Sequence, residues 1–177
     1  MLSVPLRLES PIPLAPVVQP VTVGLPFAQG QLRGDELLGL RDETGRLLPV
    51  QTEVLARWPG RSVKWLLVDF LLDQSFAGQT SCELRLEPCS TPVIPAGLRV
   101  RDSADRLIVD AGPWSWAIGP HNLPLLASSH DCSPGQRDRT LHVTLTDREG
   151  RQHWPRWSQV HVETRGAVRT TARVEGS

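Results

Sequence analysis

The chain has no excess charge and none of the short motifs that mark nucleotide-binding or acyl-transfer enzymes. Its 177 residues contain 19 lysines and arginines and 19 aspartates and glutamates, so the formal net charge is zero. This balance argues against nucleic acid or an anionic membrane as a partner, because both attract strongly basic proteins. No G-x-S-x-G, P-loop or G-x-G-x-x-G motif occurs. Neither a serine nucleophile elbow nor a phosphate-binding loop is therefore predicted.

Long apolar runs are also missing. No stretch approaches the roughly 20 apolar residues that a transmembrane helix needs. The first residues, "MLSVPLRLESPIPLAPVVQP", contain prolines and Glu9 that would interrupt the apolar helix of a signal peptide. We therefore expect a cytoplasmic protein without a membrane partner.

Cysteine is scarce. Cys82, Cys89 and Cys132 leave one thiol unpaired under any disulfide scheme. Cys82 and Cys89 lie far apart if the segment between them is extended. We expect free thiols that are buried or inert.

Helical patterns are nearly absent, whereas apolar and polar residues alternate along most of the chain. Sixteen prolines further disfavour long helices, and only residues 34–43 have a weak helical pattern. The alternation predicts an all-β fold, with few short helices and about ten mostly antiparallel strands. These strands are 21–25, 46–58, 62–72, 80–87, 98–102, 106–112, 114–119, 140–147, 158–166 and 167–175.

The segment "LARWPGRSVKWLLVDF" (55–70) predicts a β-hairpin. Gly60 can adopt positive φ without steric cost, so Gly60-Arg61 suits the centre of a type II′ turn. In the resulting register Arg57 lies opposite Lys64, and Ala56 lies opposite Trp65.

The side chains of this hairpin have two interpretations. Arg57 and Lys64 are like charges placed opposite each other, which is mildly destabilising unless they bind an anion such as a uronate. Alternatively, both extend into solvent at the hairpin tip. Trp58 and Trp65 are either a platform for sugar stacking or core aromatics, and large aromatics more often supply buried area.

Two further tryptophan pairs are candidates for ligand binding. Trp114 and Trp116 share one face of a predicted strand, where burial is expected. Trp154 and Trp157 flank Pro155 in "HWPRW", and the polar neighbours favour exposure there. The candidate ligand-binding residues are therefore Arg57, Trp58, Lys64, Trp154 and Trp157.

Metal and acid–base sites are not expected. The segment 121–132 contains His121, His130, Asp131 and Cys132, but their spacing matches no structural zinc pattern. Glu53 and Asp69 could form a carboxylate pair that acts on a glycosidic bond. The predicted hairpin register puts Asp69 opposite Thr52, so these carboxylates would lie on opposite faces. We thus predict no catalytic residue, metal or cofactor.

Three pieces of sequence occur in a recognisable order. They are a "G-L-P-F-x-x-G" entry at 24–30, "D-x-x-G-x-x-x-P-V-Q" at 42–51 and "W-P-G-R-S-V-K-W-L" at 58–66. In this order they resemble the N-terminal RIFT-barrel domain of exo-rhamnogalacturonan lyase and the YetA-like bacterial proteins. The resemblance covers roughly the first half, and "GAVRTTARVEG" (166–176) is consistent with a closing strand.

The resemblance implies a distorted β-barrel, or a sandwich, placed before a larger catalytic region. Residues 1–177 are then expected to form one β-barrel domain of a longer polypeptide, with no enzymatic activity of its own. Its partner would be the downstream catalytic region. Two alternatives stay open: a module that binds acidic glycans, and a protein-interaction or assembly domain that uses an open strand edge.

Overall fold

The computed structural model describes residues 2–91, 93–94, 98–103, 106–112, 114–118, 125–129, 139–141, 144–154 and 157–176. It divides the chain into two compact units, Met1–Pro95 and Ala96–Ser177. Each unit is described by itself, and the single domain over residues 1–177 stays a prediction. No helix among the described residues is long and apolar enough to cross a membrane.

The first unit contains seven strands among its described residues. They are β1 (Val4–Glu9), β2 (Gln19–Pro26), β3 (Leu38–Asp42), β4 (Leu47–Leu48), β5 (Val50–Arg57), β6 (Val63–Leu72) and β7 (Ser81–Pro88). They form an antiparallel sheet in the order β1-β7-β3-β4 and a second one in the order β2-β6-β5. A single turn of 3-10 helix, Gln74–Phe76, follows β6. The all-β prediction is confirmed.

The core of the first unit follows from the alternation of its strands. Cys82, Leu84 and Leu86 of β7 are buried, as is every second residue of β6 from Leu66 onward, because successive side chains of a strand point to opposite faces. The innermost apolar side chains, all at most 2% exposed, are Leu32, Leu40, Leu48, Val63, Leu66, Val68, Phe70, Leu72 and Leu86. One apolar cluster therefore includes residues of both sheets.

Two local predictions in this unit were wrong. The segment with a weak helical pattern, 34–43, contains strand β3, which pairs with β7 from Leu38 opposite Pro88 to Asp42 opposite Leu84. Here tertiary pairing outweighs a weak local preference. The predicted strand 46–58 is interrupted at Pro49, which has no N–H for the ladder and separates β4 from β5.

The second unit contains nine strands among its described residues. They are β8 (Leu98–Asp102), β9 (Leu107–Ala111), β10 (Trp114–Ile118), β11 (Leu125–Ser129), β12 (Arg139–Leu141), β13 (Leu145–Thr146), β14 (Gln152–His153), β15 (Trp157–Arg165) and β16 (Thr170–Gly176). The first five form an antiparallel sheet in the order β12-β11-β10-β9-β8, and the others form two hairpins. Arg165 of β15 forms an ion pair with Asp102 of β8 at 2.9 Å.

Candidate functional site

The predicted β5–β6 hairpin exists, but its tip has a different turn. The amide of Arg61 donates to the carbonyl of Trp58 at 2.8 Å, and the amide of Trp58 donates to the carbonyl of Ser62 at 2.9 Å. Arg61, not Gly60, adopts positive φ, at 65°. The loop is therefore a type I turn over Pro59-Gly60 followed by a left-handed residue, and the predicted type II′ turn was wrong.

The register of the hairpin also differs from the prediction. Ala56 does lie opposite Trp65, but bulges on either side of Ala56 shift the rest of the ladder by one residue. Arg57 consequently pairs with Val63 and not with Lys64. The like-charge cross-strand pair expected from the sequence does not form, because each extra residue at a bulge changes which side chains are opposed.

Arg57 connects the tip to the loop that follows β2. Its Nη1 donates to the carbonyl of Arg61 at 2.7 Å and to the carbonyl of Arg33 at 3.1 Å. Gly34 makes this approach possible, since a Cβ at that position would lie 2.9 Å from Nη1. These hydrogen bonds favour the structural interpretation of Arg57.

Trp58 and Lys64 contact each other on the tip. The indole N–H of Trp58 donates to the carbonyl of Phe27 at 3.0 Å. The ammonium of Lys64 lies over the same indole, 4.7 Å from the ring centroid, in a cation–π contact. Trp58 is half-buried and Lys64 is exposed. The structure thus brings together the three predicted site residues of the hairpin.

The loop of residues 27–34 is attached to the tip by further hydrogen bonds. The amide of Gly30 donates to the Oγ of Ser62 at 2.9 Å, and the amide of Val63 donates to the carbonyl of Leu32 at 2.8 Å. Phe27 and Leu32 are buried and anchor this loop in the core. The backbone of Arg33 is consequently held beside the hairpin, although 24 residues separate it from Arg57.

Trp65 does not belong to the core. Its side chain is 42% exposed, and its ring carbons would lie 3.9 Å from a Cβ added at Gly24. Trp65 pairs with Pro26 of β2 and with Ala56 of β5, whose small side chains leave the indole open. The expectation that Trp65 supplies buried area was wrong, because Trp65 lies on the face of β6 opposite the buried Leu66 and Val68.

The tryptophans of the second unit are placed differently from those of the tip. Trp154 is 60% exposed, in agreement with the expected exposure of "HWPRW". The side chain of Trp157, the first residue of β15, is outside the part of the chain that the structure describes. Trp114 and Trp116 are half-buried on one face of β10.

The carboxylates Glu53 and Asp69 do not lie on opposite faces of the hairpin, as the sequence predicted. Gln51 lies opposite Asp69 and Glu53 lies opposite Leu67, so both carboxylates share one face of the sheet. Asp69 is 1% exposed and accepts a hydrogen bond from the Oγ1 of Thr22 at 2.7 Å. The prediction of opposite faces was wrong because it used the unshifted register.

A groove of about 690 Å³ on the outer face of the β1-β7-β3-β4 sheet is the larger of two described cavities. Its walls carry charges of both signs, and Arg41 pairs with Glu87 at 2.6 Å. A neighbouring pocket of about 390 Å³ contains Arg46, which pairs with Asp42 and Asp73 and lies over the ring of Phe76. In these two cavities most charges already have partners within the fold.

No group of three or more potential metal ligands occurs among the described residues. The candidate ligands His121, His130, Asp131 and Cys132 lie outside the described residues. Of the other histidines, His153 contacts Asp147 at 2.9 Å, and this hydrogen bond lowers the pKa of the Asp147 carboxyl.

The comparison with protein families agrees with the resemblance found in the sequence. Residues 10–80 match the family described as the PcRGLX-like N-terminal RIFT barrel domain. The matched segment lies within the first unit and includes the β5–β6 hairpin. No curated protein matches the chain. The predicted RIFT-barrel resemblance is therefore confirmed for this segment.

Proposed function

We propose that this RIFT barrel is a non-catalytic module of a polysaccharide lyase-like protein, of the type that acts on rhamnogalacturonan or related pectins. The observation that carries the proposal is the family match of residues 10–80, since the family is described as an N-terminal domain. A domain described as N-terminal is followed, in the proteins of its family, by further regions of the same polypeptide. The proposed partner is a catalytic region further along the same polypeptide.

The hydrogen bonds of Arg57 and Asp69 in the first unit support a structural role for this module. The guanidinium of Arg57 donates hydrogen bonds to the carbonyls of Arg33 and Arg61, and so joins the loop after β2 to the hairpin tip. The buried carboxylate of Asp69 accepts a hydrogen bond from Thr22. General acid–base work needs a titratable group aimed at the substrate, whereas the Asp69 carboxylate is buried and bonded to Thr22.

The test is to follow the reading frame beyond Ser177 and to express the downstream region with and without residues 1–177. We expect the isolated chain to release no unsaturated uronate products from rhamnogalacturonan. We also expect the downstream region alone to have a lower melting temperature or lower activity than the joined protein.

Two results would contradict the proposal. One is lyase activity of the isolated chain that survives purification. The other is a downstream region whose activity and melting temperature are the same with and without the module.

A further inference from the structure

Strand β1 forms one edge of its sheet. In the order β1-β7-β3-β4 it pairs with β7 on one side, and no strand of the described residues pairs with it on the other. Its apolar residues Val4, Leu6 and Leu8 pack against the core but stay half-buried. Their partners on β7 are at most 3% exposed. The apolar side chain of β1 is therefore the less covered member of each pair.

The open side of β1 presents a defined set of backbone groups. The amide of Ser10, the residue after β1, donates to the carbonyl of Thr80 at 2.8 Å and continues the pairing with β7. Because hydrogen-bonded pairs alternate along an antiparallel ladder, every second residue before Ser10 bonds to β7. The residues between them, Pro5, Arg7 and Glu9, turn their backbone groups outward. Pro5 has no N–H and suits such a position, so the amides of Arg7 and Glu9 are available to a further strand.

The outward side chains of this edge carry opposite charges. Arg7 and Glu9 are 66% and 68% exposed, and the Nε of Arg7 lies 3.0 Å from the Oε1 of Glu9. A lysine-bearing edge repels a second copy of itself, which is one way that natural edge strands avoid pairing. The edge of β1 lacks this protection, because an antiparallel copy presents each of its two charges with the opposite charge. The edge is therefore complementary to itself.

We infer that β1 is a dimer interface, where it pairs antiparallel with β1 of a second copy of this chain. Arg7 of each copy lies opposite Glu9 of the other, and the amides and carbonyls of these residues exchange four hydrogen bonds across the interface. Leu8 lies opposite Leu8 of the second copy, so both become better covered. The contact is isologous, and it joins the two four-stranded sheets into one.

Charge and hydrogen bonding select this register. A shift by two residues in one direction puts Arg7 opposite Arg7, and a shift by two in the other puts Glu9 opposite Glu9. Like charges directly opposite each other are destabilising. A shift by one residue opposes the outward groups of one strand to groups that already bond to β7.

The edge strand of the other sheet in the first unit is less suited to pairing. Phe27 donates its amide to the carbonyl of Lys64 at 3.0 Å, so the alternate residues of β2 that turn outward are Pro20, Thr22, Gly24 and Pro26. Two of these four have no N–H, and none is charged.

A second copy also fits β1 better than an unrelated strand does. A foreign strand has to supply an arginine and a glutamate two residues apart in the matching order, which β1 itself supplies. The interface does not depend on the proposed supporting role, because β1 belongs to the chain itself.

The experiment is sedimentation equilibrium of the full chain at micromolar to millimolar concentration, at low and at raised salt. We expect a monomer–dimer equilibrium that weakens with salt. Amide hydrogen exchange measured at both ends of the concentration range should show slower exchange at Arg7 and Glu9 in the dimer.

Charge reversal tests the register. Arg7→Glu leaves two negative charges on the edge and Glu9→Arg leaves two positive charges, so each variant should self-associate at least about tenfold more weakly. An equal mixture of the two variants should form a one-to-one heterodimer, because their edges are complementary. The double variant Arg7→Glu/Glu9→Arg should dimerise like wild type.

Matched controls are Arg33→Glu and Glu36→Arg, which reverse exposed charges in the loop before β3. They should leave self-association unchanged. Far-ultraviolet circular dichroism of every variant checks that it is folded.

Four outcomes would overturn the inference. They are a chain that stays monomeric at millimolar concentration, a dimer in which exchange at Arg7 and Glu9 is unchanged, a mixture of the reversed variants that does not associate, and an equal loss of association in the controls. A monomer whose Arg7 and Glu9 amides are already protected would also refute the dimer, and would identify a strand of the same polypeptide as the occupant of this edge.

Discussion

Individual side chains of the hairpin have separate roles that residue type alone does not reveal. Arg57 and Arg61 are both exposed arginines near one turn, but only the Arg57 guanidinium bonds to backbone carbonyls. Trp58 and Trp65 likewise differ, since Trp58 donates its indole N–H to Phe27 and Trp65 faces solvent. The structural and the exposed members of each pair can therefore be separated by substitution.

Trp65→Ala tests the exposure of this aromatic. We expect a loss of about 1 kcal/mol in the free energy of unfolding, because much of the indole already contacts water. The matched variant is Phe70→Ala on the same strand, where the ring is 2% exposed. It should cost about 3–5 kcal/mol. Urea unfolding of both variants measures the difference, and equal losses would mean that Trp65 is a core residue after all.

Among the elements of the first unit, the segment of residues 42–46 and the 3-10 turn after β6 are joined by one cation. Arg46 donates to Asp42 at 2.9 Å, to Asp73 at 2.7 Å and to Ser75 at 2.6 Å. Hydrogen bonds from Ser75 and then from Arg46 lower the pKa of Asp73 to about 2. This network connects two loops that are distant in sequence.

The lowered pKa of Asp73 predicts acid sensitivity. Its folded pKa lies below the ordinary value of 3.8, so its contribution to stability is present above about pH 4 and is lost as the pH falls towards 2. Because the side chain is 44% exposed, solvent screening limits this contribution to about 1 kcal/mol.

Urea unfolding of wild type and Asp73→Asn at pH 7 and near pH 2 measures this contribution. The two proteins should differ at pH 7 and converge in acid. Asp35→Asn removes an exposed aspartate that forms no ion pair, and it should be neutral at both pH values. A gap between wild type and Asp73→Asn that persists in acid would show that the carboxylate charge is not responsible.

The molecule as a whole folds as two compact units of antiparallel sheets, with the family match in the first. Its described cysteines, Cys82 and Cys89, are free thiols. Cys82 is buried, and burial, with a smaller effect of Glu43, raises the pKa of its thiol. Cys132 lies outside the described residues, so the thiol count of the whole chain is still a prediction.

Thiol titration under non-reducing conditions tests this count. After denaturation we expect three free thiols, and in the native protein we expect slower reaction of Cys82 than of Cys89, because a buried thiol of raised pKa forms little thiolate. Recovery of a single free thiol after denaturation would establish an internal disulfide and contradict the expected cytoplasmic location.

Alternation of apolar and polar residues was enough to predict the all-β fold and the hairpin at 55–70, because periodicity is a local property of a strand. The order of three motifs was enough to find the RIFT-barrel resemblance. The alternation of apolar and polar residues could not predict the strand at Leu38–Asp42, since these residues become a strand only by pairing with β7.

Tertiary contacts decided the details of the tip. Bulges around Ala56 set the register, and a bulge inserts a residue without changing the apolar pattern, so alternation alone cannot reveal it. The same bulges separated Arg57 from Lys64, whereas Trp65 kept its predicted partner Ala56 and is exposed because it lies on the face of β6 opposite the buried Leu66. Arg33 joined the tip only because buried Phe27 and Leu32 hold its loop against the hairpin, a contact between segments that no local pattern encodes.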